Sequence, residues 1–474
     1  MALGRRRRGP VQEELFVASA DLPRSMGHPF YRKLDGLLTR AKFDDFVEEL
    51  VRPSYAEFVG RPGVAAGIYF RMLFVGYFED IGSQRGIAWK CSDSLSLREF
   101  LGLRMDEGVP DHSSMTRTRV RLSESVHDSV FAWVLGLCAA EGLLTDPKEV
   151  AVDSTTLGAN AAMKSIVRKA TGEDYKTYIR GLMRAEGIED PTDEEVIKFD
   201  RKRANKTMSN ADWESPADPD ARIARMKDKT TKLAYKAEVV VDLASDVIVA
   251  AEVYCADDGD SRTYVESVMA ARTHLDRIEL PDAAAQEGLV IESVVLDKGY
   301  HGAESLEMAA WFAMETYAAE PERTGEPQPK PAAQEEAVAA NRKRMKGKKA
   351  KALHRKRSEY AERTFAHTCG TGGARRCWVR GLKNVRKRYP MTAAARNLGT
   401  LMRFLYGIGT PKKLQDSLSD EEKAKFEAEG GPRRAFRPYW RSKSPNSICG
   451  TAVRDSKYFA PRRIRPRCKT RKRA

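Results

Sequence analysis

The sequence lacks a hydrophobic run long enough to cross a membrane. A transmembrane helix needs about 18 or more consecutive apolar residues, and the most apolar stretch, residues 64–78, is interrupted by Arg71. The basic start, MALGRRRRGP, also lacks the apolar segment of a signal peptide. We therefore expect a cytoplasmic protein with no membrane partner.

Cysteine is scarce and follows no pattern. The seven cysteines are scattered along the chain and include no CxxC pair, so neither a disulfide framework nor a structural zinc site is expected. The sequence also has no GxxxxGK[ST] loop, the motif that cradles nucleotide phosphates. We therefore expect no nucleotide cofactor.

Positive charge, by contrast, is abundant. The 474 residues include 82 Lys and Arg against 67 Asp and Glu, which gives a formal net charge of +15. A chain of this length has room for two or three domains with a hydrophobic core. The excess of positive charge favours a polyanionic partner, and DNA and RNA are the usual candidates.

The first part of the chain is predicted to be helical. Phe43, Phe46, Val47 and Leu50 recur at the spacing of one helix face. In PDHSSMTRTRVRL, Pro110 with Asp111 or Ser113 marks a helix start, and three arginines follow, namely Arg117, Arg119 and Arg121. This pattern fits a helix-turn-helix-like DNA reader and an ordinary helix with a solvated arginine face equally well.

From residue 149 the pattern changes to alternating strands and helices. EVAVD predicts a strand, KAEVVVD and VIVAAEVYCAD predict a hairpin, and a helix, a strand ending at Asp297, a helix, a possible strand and a helix follow. This order predicts an α/β domain with a mixed sheet flanked by helices.

These patterns divide the chain into four parts. We predict a basic leader over 1–27, a helical DNA-binding domain over 28–145, a catalytic domain over 146–405 and a basic, disordered tail over 406–474. Within the catalytic domain we predict a charged, helix-prone insertion over 158–231 and a linker-like segment over 320–351 that ends in a dense basic run.

Three acidic residues stand out in this basic chain. Asp153 in VAVDSTTL and Asp297 in VVLDKGYHG each end a short apolar run, and Glu362 lies in the helix-like YAERTFAH. Carboxylates from two strands and a helix could meet at a sheet edge to hold divalent metal. Alternatively, Asp297 caps the turn before Gly299 and Glu362 pairs with a neighbouring arginine. Glu359 competes with Glu362 for the third position.

Such a set of carboxylates suits phosphodiester chemistry. Two metal ions about 3.5–4 Å apart can activate the nucleophile, stabilise the leaving oxygen and neutralise the phosphate. Mg²⁺ prefers carboxylate oxygens and keeps several waters, so three carboxylates suffice. The sequence therefore predicts an enzyme that cuts or joins nucleic acid with two Mg²⁺ ions, with Mn²⁺ as a substitute.

Several longer motifs resemble the DDE transposases of bacterial insertion sequences. They are VDSTTLGANAAMKSIVRKATGEDYKTY, DPDARIARMKDKTTKLAYKAE, VVLDKGYHG and AERTFAHTCGTGGARR, with PDHSSMTRTRVRL resembling the amino-terminal domain of that family. The resemblance implies a ribonuclease-H-like core, transposition that depends on Mg²⁺, and the catalytic and metal-binding set Asp153, Asp297 and Glu362. It also implies a homodimer on double-stranded DNA, because two element ends must be joined to a target.

The sequence departs from its relatives in two respects. Related transposases with a Tyr-x2-Arg-x3-Glu signature have Arg four residues before Glu, whereas Ser358 occupies that position before Glu362 and Arg355 precedes Glu359 by four. Other relatives carry a β-rich insertion between the second Asp and the Glu, but the larger insertion here is the earlier one, over 158–231.

Basic residues near these motifs are candidate DNA contacts. Lys298 follows Asp297 directly, and a cluster follows Glu362. Together with the three arginines named above, the predicted DNA-binding set comprises Lys298, Arg363, Arg375, Arg376, Arg386, Lys387 and Arg388. Two other functions stay open, namely a transposase-derived DNA-binding protein that no longer cuts and a ribonuclease-H-like nuclease without strand transfer.

Overall fold

The computed structural model describes residues 27–56, 63–203, 209–226, 229–278, 289–322 and 329–412. The first part of the described chain is helical, as predicted. Its helices are α1 (Pro29–Arg40), α2 (Phe43–Val51), α3 (Ala66–Phe78), α4 (Gln84–Asp93), α5 (Leu95–Phe100), α6 (His112–Arg121) and α7 (Glu124–Ala140). Asp111 caps α6, since its carboxylate accepts a hydrogen bond from the Ser114 amide.

A buried arginine holds the first helices together. Arg71 lies in the apolar helix α3, where its guanidinium donates to Asp35 of α1 at 2.7 Å and to Asp44 of α2 at 2.8 Å. It also donates to the Phe100 carbonyl at the end of α5. Because a buried cation is stable only with such partners, Arg71 fixes how these helices pack.

The second part of the chain alternates strands and helices. Its elements are β1 (Glu149–Gly158), β2 (Val167–Arg168), α8 (Tyr175–Ala185), α9 (Asp193–Lys202), β3 (Trp213–Glu214), β4 (Arg222–Arg225), β5 (Thr231–Asp242), β6 (Ile248–Cys255), α10 (Asp260–Asp276), β7 (Ser293–Leu296), α11 (Ala303–Trp311), β8 (Glu315–Ala318), α12 (Ala332–Met345), α13 (Lys348–Phe365) and α14 (Leu382–Tyr406). The predicted hairpin of β5 and β6 and the predicted strand before Asp297 are confirmed.

The main sheet is mixed. Among the described residues its strand order is β4-β5-β1-β7-β8, and β6 also pairs with β5. β5 is antiparallel to β1, β4 and β6, whereas β7 is parallel to both β1 and β8. The short strands β2 and β3 pair separately.

Two interruptions of the α/β order were predicted, with different outcomes. Between β1 and β5, the predicted charged helices are present as α8 and α9, and α9 begins with a capping box formed by Thr192 and Glu195. The linker-like prediction for 320–351 is wrong over Ala332–Met345, which form α12. Alanine and glutamate there are strong helix formers, and Ala337 and Val338 are buried.

The hydrophobic core joins the two parts of the chain. One cluster of buried residues extends from the first helices through the sheet to α14, and α14 packs against α7, α3 and β6. Within the described residues, no helix is long and apolar enough to cross a membrane. The predicted leader, apart from Gly27, and the predicted tail after residue 412 lie outside the described residues.

A buried ion pair links α14 to the turn between β5 and β6. Asp246 occupies this turn with a positive φ of 63°. Its carboxylate accepts from Arg396 of α14 at 2.6 Å, and the two side chains are only 9% and 2% exposed. Arg363 of α13 approaches the same carboxylate at 3.2 Å. Asp246 therefore neutralises two arginines from different helices.

We expect Asp246→Asn to lower the free energy of unfolding by about 3 kcal/mol. Asparagine tolerates the left-handed backbone, so the loss comes from leaving the Arg396 charge buried without a carboxylate. Glu49→Gln, which breaks an exposed pair with Arg52, is the control and should cost at most about 0.5 kcal/mol. Urea denaturation measures both, and an Asp246→Asn change as small as the control would contradict this role.

Candidate active site

The pairing of β1 with β7 brings the two predicted aspartates to the same level of the sheet. The parallel register aligns Ala151 with Val295, and two residues further along lie Asp153 and Asp297. Asp297 keeps an extended backbone, with φ −73° and ψ 168°. Because side chains alternate along a strand, both carboxylates share the face of Ala151 and Val295. The register therefore places Asp153 level with Asp297, which directly follows β7.

Helix α13 covers this face of the sheet. Its Ala350 and Leu353 pack on Ala151 and Val295 in one small cluster. The next buried position on the helix is Arg357, whose guanidinium reaches Asp153 Oδ1 at 3.1 Å and the Val152 carbonyl at 3.4 Å. Arg357 thus neutralises and orients the first aspartate.

A histidine on the same helix lies near the second aspartate. Burial and the charge of Arg357 lower the pKa of His354, while the Asp297 carboxylate acts in the opposite direction. His354 Nε2 is buried and has no hydrogen-bond partner among the described residues. The helix therefore presents one cation and one imidazole to the aspartate pair.

The two candidate glutamates lie away from that face. The buried stripe of α13 comprises Ala350, Leu353, Arg357, Ala361 and Thr364. Glu359 and Glu362 are both exposed. Glu359 forms an ion pair with Arg363, which lies one helical turn further on.

The strand register therefore places Asp153 level with Asp297, but neither glutamate lies on the helix face that packs against them. In the described ranges, no group of three or more His, Cys, Asp or Glu side chains is arranged to hold a metal ion. The aspartate pair by itself supplies carboxylate oxygens on one partly exposed face, since the Asp153 side chain is 28% exposed and Asp297 is exposed.

A third acidic residue, Asp260, begins α10. Gly259 is the cap residue of this helix, and no side chain caps it. Instead, Asp260 Oδ1 accepts from Ser154 Oγ at 3.1 Å and from Lys236 Nζ at 3.2 Å. Ser154 follows Asp153 directly, so Asp260 supports the strand at the first aspartate.

A buried carboxyl lies on the other face of the sheet. Glu238 of β5 is level with Ser154 of β1 and accepts from Ser267 at 2.6 Å, Thr263 at 2.9 Å and Tyr300 at 3.2 Å. Tyr300 ends the short 3-10 turn that follows Asp297, which confirms the predicted turn. Burial raises the pKa of Glu238 to about 7, although the hydrogen bonds and Lys236 oppose the shift. Glu238 thus holds the Asp297 turn from behind.

The predicted DNA contacts fall into two groups. The exposed members are Arg117, Arg121, Lys298, Arg375 and Arg376. The other members interact with groups of the protein itself, so they are less available to contact DNA phosphates. Arg386 donates to the Val253 carbonyl, Lys387 to the Arg119 carbonyl, and Arg388 to the Arg376 and Gly373 carbonyls. Arg119 is half-buried over the Trp378 ring, and Arg363 pairs with Asp246.

The exposed arginines belong to adjoining segments. Arg119 of α6 and Arg388 of α14 both lie over Trp378, at 5.4 and 5.1 Å from the ring centroid. The segment before Trp378 joins the end of β1, where the Gly158 amide donates to the Arg375 carbonyl at 2.9 Å. At about 3.3 Å per residue, Gly158 is roughly 17 Å along β1 from Asp153. A basic surface thus begins on the strand that carries the first aspartate.

Two protein families match parts of the chain. The family described as "Transposase domain (DUF772)" matches residues 19–121, and the family described as "Transposase DDE domain" matches residues 322–402. These two matches support a DDE transposase of insertion sequences. Searches among curated proteins and among solved structures found no significant match.

The two candidate catalytic aspartates of the transposase lie outside both matched ranges. The second match contains Glu359, Arg357 and Glu362, whereas Asp153 and Asp297 lie between the matched ranges. Their assignment depends on the motifs of the sequence and on the strand register. Arg357 was not among the residues predicted from the sequence, although it is the one charged residue on the otherwise uncharged buried stripe of α13.

We predict that the stability of the transposase falls as pH rises from about 4.5 to about 7 because of Glu238. The folded state keeps the Glu238 proton up to pH 7, whereas the unfolded chain releases it near pH 4.3. The contribution of Glu238 to the free energy of unfolding is therefore fully present below its unfolded pKa. It is lost as the pH rises to the folded pKa, by about 4 kcal/mol in total.

Glu238→Gln should remove this component of the pH profile, as measured by urea denaturation between pH 4.5 and 8. Glu266→Gln, an exposed residue of α10, should keep the parent profile. The interpretation fails if the parent and the Glu238→Gln profiles run parallel across this range.

Proposed function

We propose that the transposase binds the inverted repeats at its element ends and performs DNA cleavage and strand transfer that depend on divalent metal. The alignment of Asp153 with Asp297 across β1 and β7 carries this proposal. The strand order supports a ribonuclease-H-like core, because an antiparallel β1-β5-β6 unit is followed by the parallel strands β7 and β8 with helices between them.

The aspartate pair fits a site for Mg²⁺, or for Mn²⁺ in its place. Mg²⁺ takes one or two protein carboxylates and completes its shell with water and phosphate oxygens, and Asp153 and Asp297 offer partly exposed oxygens on one face. When two such ions are bound, they supply an acidified water and neutralise the phosphate. Glu362, or its rival Glu359, would complete the set only if α13 turned that side chain toward the pair, because neither glutamate lies on the buried stripe of the helix.

The neighbouring protein groups would orient the reacting DNA. Arg357 holds the Asp153 carboxylate at 3.1 Å, and Ser154 and Asp260 hold the strand beside it. Lys298 is exposed directly after Asp297, where its ammonium can neutralise a phosphate that approaches the pair. Cleavage frees a 3′ hydroxyl, which then attacks the target DNA. Joining two ends requires two active sites, so we propose a homodimer on DNA.

We expect Asp153→Asn and Asp297→Asn each to reduce nicking of a repeat-bearing duplex at least 100-fold in Mg²⁺. Either change removes a carboxylate charge from the pair while keeping its size. Glu292→Gln, an exposed residue just before β7 on the same segment, is the matched control and should cut like the parent. If both Asn variants nick the duplex at the parent rate, the metal-site proposal is wrong.

The third carboxylate can be assigned by a second pair of variants. We expect Glu362→Gln to reduce nicking as strongly as Asp153→Asn. Glu359→Gln should retain most activity, since Glu359 is engaged with Arg363. Gel assays of nicking and strand transfer separate the two residues, and the reverse order of effects would assign the role to Glu359. A parent protein that binds the repeats but never nicks them would instead favour an inactive DNA-binding descendant.

The exposed arginines offer a test of DNA binding. We propose that Arg117, Arg121, Arg375 and Arg376 contact phosphates. Each phosphate contact adds about 0.9 to the slope of log affinity against log salt concentration, so Arg375→Ala with Arg376→Ala should reduce that slope by about 1.8. Arg52→Ala with Arg85→Ala, two exposed positions of the helical region, should leave the slope unchanged in fluorescence anisotropy titrations. Equal slopes for all three proteins would exclude the proposed surface.

A further inference from the structure

A groove of about 660 Å³ lies between α11 and α12. One wall is a single face of α11, where Glu304, Glu307, Met308 and Trp311 follow the i, i+3, i+4, i+7 spacing. Small side chains of α12, including Ala333, Ala337 and Ala340, line the other side together with Glu336. The groove therefore combines an apolar lining with a rim of three carboxylates.

The apolar part of the groove is unusually open to solvent. Trp311 is 70% exposed and Met308 is 43% exposed. Large apolar side chains that are exposed next to each other and surrounded by polar groups are typical of interaction sites. Tryptophan is also the aromatic side chain that binds cations best through its ring face.

The charge of the groove is opposite to that of the chain. Within the described part of the chain, Arg342 of α12 forms its ion pair with Glu320 and not with Glu304, Glu307 or Glu336. Three carboxylates grouped on one surface of a protein of net charge +15 repel DNA and attract cations. A tryptophan among carboxylates suits a ligand with several Arg or Lys side chains.

We propose that this groove binds the basic segment 462–474 of the same chain. This segment, RRIRPRCKTRKRA, carries eight Arg and Lys residues and no acidic residue. Its Ile464 can enter the apolar groove while the basic side chains meet the carboxylates and Trp311. Among the other basic segments outside the described residues, 433–443 has five basic and no acidic residues and 1–26 has five basic and three acidic residues. Charge complementarity therefore favours 462–474, which has eight.

The connecting chain is long enough for this contact. Residues 413–461 separate the segment from the end of the described chain. A chain of 49 residues can reach up to about 160 Å. The groove can therefore hold the segment wherever residue 412 lies on the surface. While the segment is bound in the groove, its arginines cannot contact DNA. The groove would therefore weaken binding of the protein to unrelated DNA sequences.

Carbodiimide coupling of the full chain tests the proposal, because this reagent joins only amines and carboxylates already in contact. Peptide mass spectrometry of the monomer band should show links from Lys469 and Lys472 to Glu304, Glu307 or Glu336. Trp311→Ala should reduce the yield of these links at least five-fold. Trp89→Ala, which removes a tryptophan that is 65% exposed on α4, is the control and should leave the yield unchanged.

Three results would overturn the proposal. Links from Lys469 and Lys472 spread evenly over exposed acids elsewhere, such as Glu194 and Glu195 of α9, would show unspecific attraction. Links confined to the dimer band would assign the groove to a second copy of the chain. Links to the groove from the amine of Met1 would assign it to the leader. Because the assay needs neither metal nor DNA, its outcome is independent of the proposed cleavage activity.

Discussion

The parallel pairing of β1 with β7 is the constraint on which the proposed chemistry depends. Asp153 and Asp297 are 144 residues apart in the sequence, yet the register that aligns Ala151 with Val295 brings them level. A shift of one residue in either strand would turn one carboxylate to the opposite face. Buried Val150, Val152 and Val294 resist such a shift, so the hydrophobic pattern of the strands also fixes the position of the acids.

The polar groups around the pair serve the same alignment from both faces. On one face, Arg357 of α13 binds Asp153. On the other, Asp260 binds Ser154, and Glu238 binds Tyr300 at the end of the turn after Asp297. The backbone at Asp153 is therefore held through Ser154, and the backbone at Asp297 is held through Tyr300. A buried polar network costs free energy when some of its groups lack hydrogen-bond partners. These networks therefore favour one local arrangement of the site over others.

The sequence predicted the strands, the hairpin and the helix order well, because each is encoded locally by hydrophobic periodicity and turn residues. It could place Asp297 at a strand end for the same reason, but β1 continues past Asp153 to Gly158, so the first aspartate lies within its strand. It did not predict α12, because the proline- and glutamate-rich start of 320–351 masked a helix that is stabilised by packing. It could not show that Glu359 and Glu362 lie off the buried stripe of α13, or that Asp260 contacts Ser154, since both depend on how distant elements pack.

Metal-directed backbone cleavage can show whether Asp153 and Asp297 hold one shared metal site. Fe²⁺ bound in place of Mg²⁺ generates hydroxyl radicals with ascorbate and peroxide, and these radicals cut the chain next to the ion. We expect cuts at two positions distant in sequence, around residues 153 and 297. Excess Mg²⁺ should suppress both cuts, and either Asp153→Asn or Asp297→Asn should abolish both together. Cuts near one aspartate alone, or cuts that persist in the Asn variants, would contradict a shared site.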